Sequence, residues 1–191
     1  MKNFEVTSLE DHKKYWISRS IAVVIVPVII DKRKKLFSKY SDIYFLAETR
    51  GPGCPDNIGK LVFPCGYLDF DETLKDAAIR EVYEETGLEL NPEDVHFSGI
   101  NDSPSTNRQN VTIRFVVVLD KNDIQSKIDD GTINIRTDER GGEPNEVSNI
   151  EIVSVNNLYS RPDNWAFDHD KLGKTVAKNI KKIIENKFVS I

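Results

Sequence analysis

The apolar residues of the chain fall into short runs that are separated by polar segments. The longest run, 21–30, is β-branched and nearly continuous, which predicts a strand buried on both faces. Pro27 within it predicts a bulge or a sheet edge, because proline cannot donate a ladder hydrogen bond. Runs of similar character predict further strands at 43–50, 60–63, 95–101, 111–119 and 150–155. The pattern therefore indicates a sheet of about six strands.

Two segments show helical periodicity instead. In the first, Thr73 and Asp76 form a potential capping pair and Gly87 suits a left-handed terminus, which predicts a helix over about 73–86. In the second, a helix predicted at about 168–187 begins at Asp168 and repeats apolar residues at helical spacing. The polar segment 122–142 is rich in Asp, Glu and Gly and predicts a mobile insertion or a hairpin.

At about 100° of rotation per residue, the first helix gathers its acids on one side. Glu81, Glu84 and Glu85 share an arc of roughly 100°, next to the apolar stripe that would dock on the sheet. The stripe comprises Leu74, Ala78, Ile79, Val82 and Tyr83. The acids are therefore expected beside the buried face, at the edge of a cleft.

Composition limits the classes of function. The 191 residues fit one domain, 1–191, with a substantial core. A formal net charge of −5 argues against a nucleic-acid polymer as the main ligand, because tracking phosphates requires a basic surface. No apolar stretch reaches the twenty residues of a membrane span, and the first fourteen residues lack a signal-peptide core. A cytoplasmic location is expected, although a disulfide between Cys54 and Cys65 stays open.

Three carboxylates packed this closely repel one another unless a hard cation lies among them. Oxygen ligands of this type suit Mg²⁺ or Mn²⁺. The alternative is an acidic helix face that is simply solvated. The spacing argues against that alternative, because seven fixed positions coincide by chance at a given start with a probability of roughly 10⁻⁸.

The segment from Gly66 to Leu88 resembles the signature of the Nudix hydrolases. It reads Gly, five residues, Glu72, seven residues, then Arg80-Glu81, with Glu84-Glu85 and Gly87-Leu88 following at the signature spacing. One departure is Pro64-Cys65-Gly66, where members of this family often have Pro-Gly-Gly. The resemblance implies an α/β/α sandwich with a mixed β-sheet, a fold of the α/β (α+β) class.

The resemblance also implies the reaction and its residues. The family hydrolyses nucleoside diphosphates linked to another moiety, with Mg²⁺ or Mn²⁺ as cofactor. Carried over by position, Glu81, Glu84 and Glu85 would bind the metal together with the carbonyl of Gly66. Arg80 would pair with Glu72 or with the metal-binding carboxylates and tie the helix to the preceding loop.

The general base is left open by the sequence. Glu81 is one candidate, because it lies within the expected metal cluster. The family also implies a base from a later loop, which here offers Glu143 and Glu146. Both glutamates are equally compatible with a polar turn before a strand.

The substrate is less well determined than the site. The stretch from Trp165 to His169 resembles a sequence before the last helix of Nudix proteins that act on ADP-ribose and related metabolites. His169 is therefore a candidate substrate contact or a first-turn helical residue. Arg108 is a candidate contact or a surface arginine, and Arg50 could reach a phosphate.

The sequence thus predicts a metal-dependent pyrophosphohydrolase that releases a nucleoside monophosphate from a small nucleotide substrate. ADP-ribose, other nucleotide sugars, dinucleotides and nucleoside triphosphates are all open. The alternative is a module on the same fold that senses a nucleotide metabolite without cleaving it. A homodimer is possible, and neither a membrane nor a nucleic-acid polymer is expected as a partner.

Overall fold

The computed structural model describes residues 3–32, 42–104, 110–135 and 144–185. Nine strands are present in these ranges: β1 Phe4–Thr7, β2 Lys14–Ile17, β3 Ser20–Ile30, β4 Tyr44–Arg50, β5 Leu61–Val62, β6 Cys65–Tyr67, β7 Val95–Asn101, β8 Asn110–Asp120 and β9 Val147–Ser154. The four α-helices are α1 Leu74–Thr86, α2 Lys121–Asp129, α3 Val155–Ser160 and α4 His169–Ile184. Short 3₁₀ turns occupy Pro92–Asp94 and Pro162–Asn164.

Seven strands form the central mixed sheet. Its main order is β5-β4-β3-β8-β7, with β6 also paired to β3 and β9 to β4. The long ladder between β3 and β8 is parallel, whereas β7 and β8, like β4 and β9, pair antiparallel. All six strands predicted from the sequence are present. The pattern of apolar runs therefore located six of the seven strands, and only the short β6 was not predicted.

Apolar clusters cover both faces of the sheet. One cluster joins Phe45 and Phe63 to residues of α3 and α4, including Leu158 and Val176. The other joins Leu46 to α1 and α2 through residues such as Val82 and Ile124. The sheet thus lies between two helical layers, which confirms the α/β/α sandwich.

Pro27 contradicts its prediction of a bulge or a sheet edge. It lies in the central strand β3, opposite Val117, with no shift in the register between β3 and β8. The N–H of Ile25 donates to the Pro64 carbonyl on the β6 side, and the proline nitrogen two residues later faces the same side. Pairing with β6 ends at Val24 and pairing with β4 begins at Val28. The missing N–H therefore falls between two ladders and costs no hydrogen bond.

Two further regions differ from expectation. The segment 122–142 was predicted to be a mobile insertion or a hairpin. Its first part is instead α2, where Asp120 accepts a hydrogen bond from the Asn122 N–H. Residues 136–143 lie outside the described ranges. At the N-terminus, β1 and β2 form an unpredicted hairpin whose strands are largely exposed.

Cys54 and Cys65 are both free thiols. Of the helices described, none is long and apolar enough to cross a bilayer.

Candidate active site

Helix α1 carries the acidic cluster and has the predicted bounds. Thr73 is its N-cap and forms a capping box with Asp76, while Gly87 ends it in the left-handed conformation at φ 76°. Val82 and the two alanines before it are buried against the sheet. The expected apolar stripe is wrong at Tyr83, which is 38% exposed. Glu81 and Glu85 are buried instead, so the acids lie within the helix–sheet interface rather than beside it.

Arg80 connects three glutamates and the loop before the helix. Its Nε and Nη2 donate to the two oxygens of Glu72 at 2.9 and 2.7 Å. Its Nη1 donates to Glu81 at 2.8 Å and to Glu84 at 2.9 Å, and Nη2 also reaches the Tyr67 carbonyl at 3.0 Å. The contacts of this guanidinium hold the loop against α1.

Glu81 lies directly against the backbone of Gly66. A Cβ atom added at Gly66 would overlap the Glu81 carboxylate, so only glycine allows this approach. Burial raises the pKa of Glu81 to about 7, against the opposing effect of the Arg80 charge. Gly66 and Glu81, both predicted to supply metal ligands, are therefore neighbours.

Glu85 is paired with a second acid that the Nudix signature does not contain. Glu85 Oε2 accepts from the Cys65 N–H at 3.1 Å, and its carboxyl group is hydrogen-bonded to that of Glu48 on β4. Glu48 is only 2% exposed. Burial raises the pKa of Glu48 to about 8 and that of Glu85 well above its usual value. Sequence reasoning missed Glu48, although an acid inside the apolar run 43–50 was a usable signal.

Glu146 approaches the same cluster from the loop before β9. The N–H of Gly51 donates to the Glu146 carbonyl at 2.6 Å, and that of Gly53 donates to Asn145 at 2.9 Å. Neither glycine has room for a Cβ against this loop. The negative charge of Glu146 contributes to the raised pKa values of Glu48, Glu81 and Glu85, although burial contributes most to each. Glu143, the other candidate base, lies outside the described residues.

Two of the predicted substrate contacts, Arg50 and His169, both contact the Phe167 ring. Arg50, 9% exposed, donates from Nε to the Asp56 carbonyl at 3.0 Å and pairs with the Asp56 carboxylate at 3.2 Å. Its guanidinium lies 5.0 Å from the centre of the Phe167 ring. His169 is 6% exposed and accepts the Phe63 N–H on Nδ1 at 3.0 Å. Arg108 lies outside the described residues, and a substrate contact for His169 stays a prediction.

The donor set fits a hard divalent cation, although its side chains are not yet arranged around one. Within the described ranges, no three acidic or other metal-binding side chains converge on a common point. Arg80 engages Glu81 and Glu84, and the Cys65 N–H engages Glu85. Yet Glu48, Glu81 and Glu85 are buried, and their side chains offer only oxygen ligands. In addition, Glu48 Oε2 has no hydrogen-bond partner among the described residues. A cation of the Mg²⁺ or Mn²⁺ type would supply the missing positive charge.

The chain is similar to known proteins in both sequence and fold. Residues 19–176 match the pattern of the NUDIX domain. The chain is similar to the ADP-ribose pyrophosphatase of Methanocaldococcus jannaschii, at 26% identity over 170 residues, which are 89% of this chain and 81% of the relative.

Solved structures show the same fold. The NUDIX domain of Shewanella oneidensis NrtR, complexed with ADP ribose, aligns with a TM-score of 0.59 at 15% identity and covers 86% of this chain and 90% of its own. A bifunctional NMN adenylyltransferase/ADP ribose pyrophosphatase from Francisella tularensis, complexed with AMP and a Mn ion, aligns at 0.58 with 17% identity. That alignment covers 84% of this chain and 42% of the other. Because the NUDIX pattern spans most of its length, this chain belongs to the Nudix family of pyrophosphohydrolases.

Proposed function

We propose that the protein hydrolyses the pyrophosphate bond of a nucleoside diphosphate derivative, with Mg²⁺ or Mn²⁺ as cofactor. The observation that carries the proposal is a group of neighbouring acids beside the Gly66 loop. Glu81 lies against Gly66, Glu85 is hydrogen-bonded to Glu48, and the charge of Glu146 acts on all three. A bound divalent cation would neutralise the diphosphate and lower the pKa of the attacking water. Glu81, Glu84, Glu85 and the Gly66 carbonyl would hold it.

The remaining residues have separate roles in this proposal. Arg80 and Glu72 keep the Gly66 loop in place against α1 through their paired hydrogen bonds. Glu146 is the stronger candidate for the general base, because Glu81 already bonds Arg80 and is assigned to the cation. Arg50 would contact a substrate phosphate after releasing its ion pair with Asp56.

ADP-ribose is the proposed first substrate. The similar protein of M. jannaschii is named an ADP-ribose pyrophosphatase, and the NrtR domain was solved with ADP ribose. Water attack at phosphorus would give AMP and ribose 5-phosphate. We further propose that the protein works in the cytoplasm, where its two free thiols would persist.

The proposal is tested by incubating purified protein with Mg²⁺ or Mn²⁺ and a panel of nucleotides, followed by chromatography and mass analysis of the products. The panel includes ADP-ribose, nucleotide sugars, dinucleotides and nucleoside triphosphates. We expect AMP from ADP-ribose only when a divalent ion is present. Binding of ADP-ribose without any product would instead support the non-catalytic sensing module.

A further inference from the structure

Strand β4 carries one acid on the sheet face that packs against α1. Phe45 and Ala47 belong to the apolar cluster under α3 and α4, whereas Leu46 belongs to the cluster under α1. Because side chains alternate along a strand, Glu48 lies on the same face as Leu46. It therefore projects toward the helix that carries the Nudix glutamates.

The surrounding residues satisfy only part of the hydrogen-bonding capacity of Glu48. Its carboxyl group bonds that of Glu85, and its Oε2 is buried without a hydrogen-bond partner in the described part of the chain. Leaving a buried oxygen unpaired is unfavourable, because it loses its hydration without gaining a hydrogen bond. An apolar residue at this position would avoid that cost, so the carboxylate points to a ligand.

Positive charge is scarce around this pair of acids. Neither Glu48 nor Glu85 forms an ion pair with a described residue, although Arg50 lies close enough to Glu48 to attract its charge. Arg80 forms ion pairs with Glu72, Glu81 and Glu84, and Arg50 forms an ion pair with Asp56. Glu81 and Glu146 add further negative charge on the same side.

We propose that Glu48 is a direct ligand of the divalent cation at this site, as a carboxylate supplied by β4 rather than by the Nudix signature. The inference rests on the proposed function, because it concerns the same cation. Binding would require the carboxylates of Glu48 and Glu85 to turn from each other toward a shared ion.

The competing explanation is that Glu48 only positions Glu85 through their hydrogen bond. Replacing Glu48 by Gln keeps that hydrogen bond and the side-chain volume but removes a charged ligand oxygen. Replacing it by Asp keeps the charge but shortens the reach by one methylene. Glu151→Gln is the matched control, since Glu151 pairs with Ala47 on the neighbouring strand and thus lies on the opposite face.

The first experiment titrates the metal-free wild type and these variants with Mn²⁺ and measures free Mn²⁺ by electron paramagnetic resonance. We expect the Kd for Mn²⁺ to rise at least tenfold in Glu48→Gln, less in Glu48→Asp, and less than twofold in Glu151→Gln. Circular dichroism confirms that each variant is folded. An unchanged Kd in Glu48→Gln would overturn the ligand role.

The second experiment is a crystal structure of the wild type soaked with Mg²⁺. A Glu48 oxygen about 2.1 Å from the ion is expected. A bound ion with Glu48 still directed only at Glu85 would reduce it to a positioning residue and overturn the proposal. If the wild type hydrolyses nucleotides and binds Mn²⁺ while Glu48→Gln binds equally well, only this inference fails. If the wild type binds no divalent ion, the proposed function fails with it.

Discussion

The guanidinium of Arg80 forms a two-pronged pair with the carboxylate of Glu72, at 2.9 Å from Nε to Oε2 and 2.7 Å from Nη2 to Oε1. Glu72 precedes α1 and also accepts the Asp69 N–H at 2.9 Å. The pair thus joins the loop after Gly66 to the middle of α1. The rest of the Arg80 fork holds Glu81 and Glu84 in place.

Replacing Arg80 by Lys should weaken both the fold and the site. A lysine keeps the charge but cannot form the planar fork that matches Glu72, Glu81 and Glu84 together. Because Arg80 is partly exposed, we expect the free energy of unfolding to fall by about 1–2 kcal/mol. We expect kcat to fall at least tenfold. Urea denaturation and steady-state kinetics measure both quantities, with the exposed Arg161→Lys as the control. An unaltered kcat would show that the fork has no catalytic importance.

Replacing Glu84 or Glu85 by Gln should abolish metal-dependent turnover while the fold is kept. Each change removes one charge from the proposed metal cluster at nearly constant volume. We expect kcat to fall at least 100-fold in each variant, with the helical circular dichroism signal unchanged. Glu89→Gln, on an exposed residue just after α1, is the matched control. Full activity in both variants would contradict the assignment of the site.

The stability of the metal-free protein should fall as the pH rises. Burial raises the pKa of Glu48 to about 8, whereas an unfolded glutamate titrates near 4.5. Between these values the folded state keeps a proton that the unfolded state has released, so the free energy of unfolding decreases with pH. The stabilising contribution is complete below pH 4.5 and is lost as the pH passes 8.

Thermal denaturation in the presence of a chelator measures this dependence. We expect Tm to decline from pH 5 to pH 8 and the decline to be shallower in Glu48→Gln, which has no proton to lose there. Added Mg²⁺ should raise Tm most at the high end of this range, because the cation then binds ionised carboxylates. An identical pH profile for wild type and Glu48→Gln would show that Glu48 does not titrate in this range.

The sequence correctly predicted the helices and strands that are determined by residues adjacent in the chain. The capping box at Thr73 and Asp76 and the left-handed Gly87 define α1 from residues adjacent in the chain. Strand β3 follows from the run 21–30, in which nine of the ten residues are apolar. The position of Pro27 could not be inferred in the same way, since it depends on where pairing with β6 ends and pairing with β4 begins.

In the site, too, local spacing was predictable whereas contacts between distant segments were not. The spacing within one helix located Glu81 and Glu85, but not their burial, which depends on the sheet beneath. Glu48 is 37 residues from Glu85 along the chain and meets it only because β4 pairs with β3, the strand on which α1 packs. A long-range contact of this kind leaves no periodic pattern, so only the acid within an apolar run could have indicated it.

A structural role and a substrate-binding role of His169 affect different quantities, namely the free energy of unfolding and the KM. Its Nδ1 accepts the Phe63 N–H, and its ring stacks on that of Phe63 at 5.7 Å between ring centres. His169→Ala would leave a buried N–H unpaired and remove the stacked ring, so we expect unfolding to become easier by about 2–4 kcal/mol.

The Michaelis constant separates the two roles. Measured at a temperature where the His169→Ala variant is fully folded, KM for ADP-ribose should stay within about threefold of wild type if His169 only supports Phe63. His96→Ala, on the half-buried β7 histidine, controls for loss of an imidazole elsewhere in the sheet. A tenfold or larger rise in KM would show instead that His169, at the start of α4, contacts the substrate.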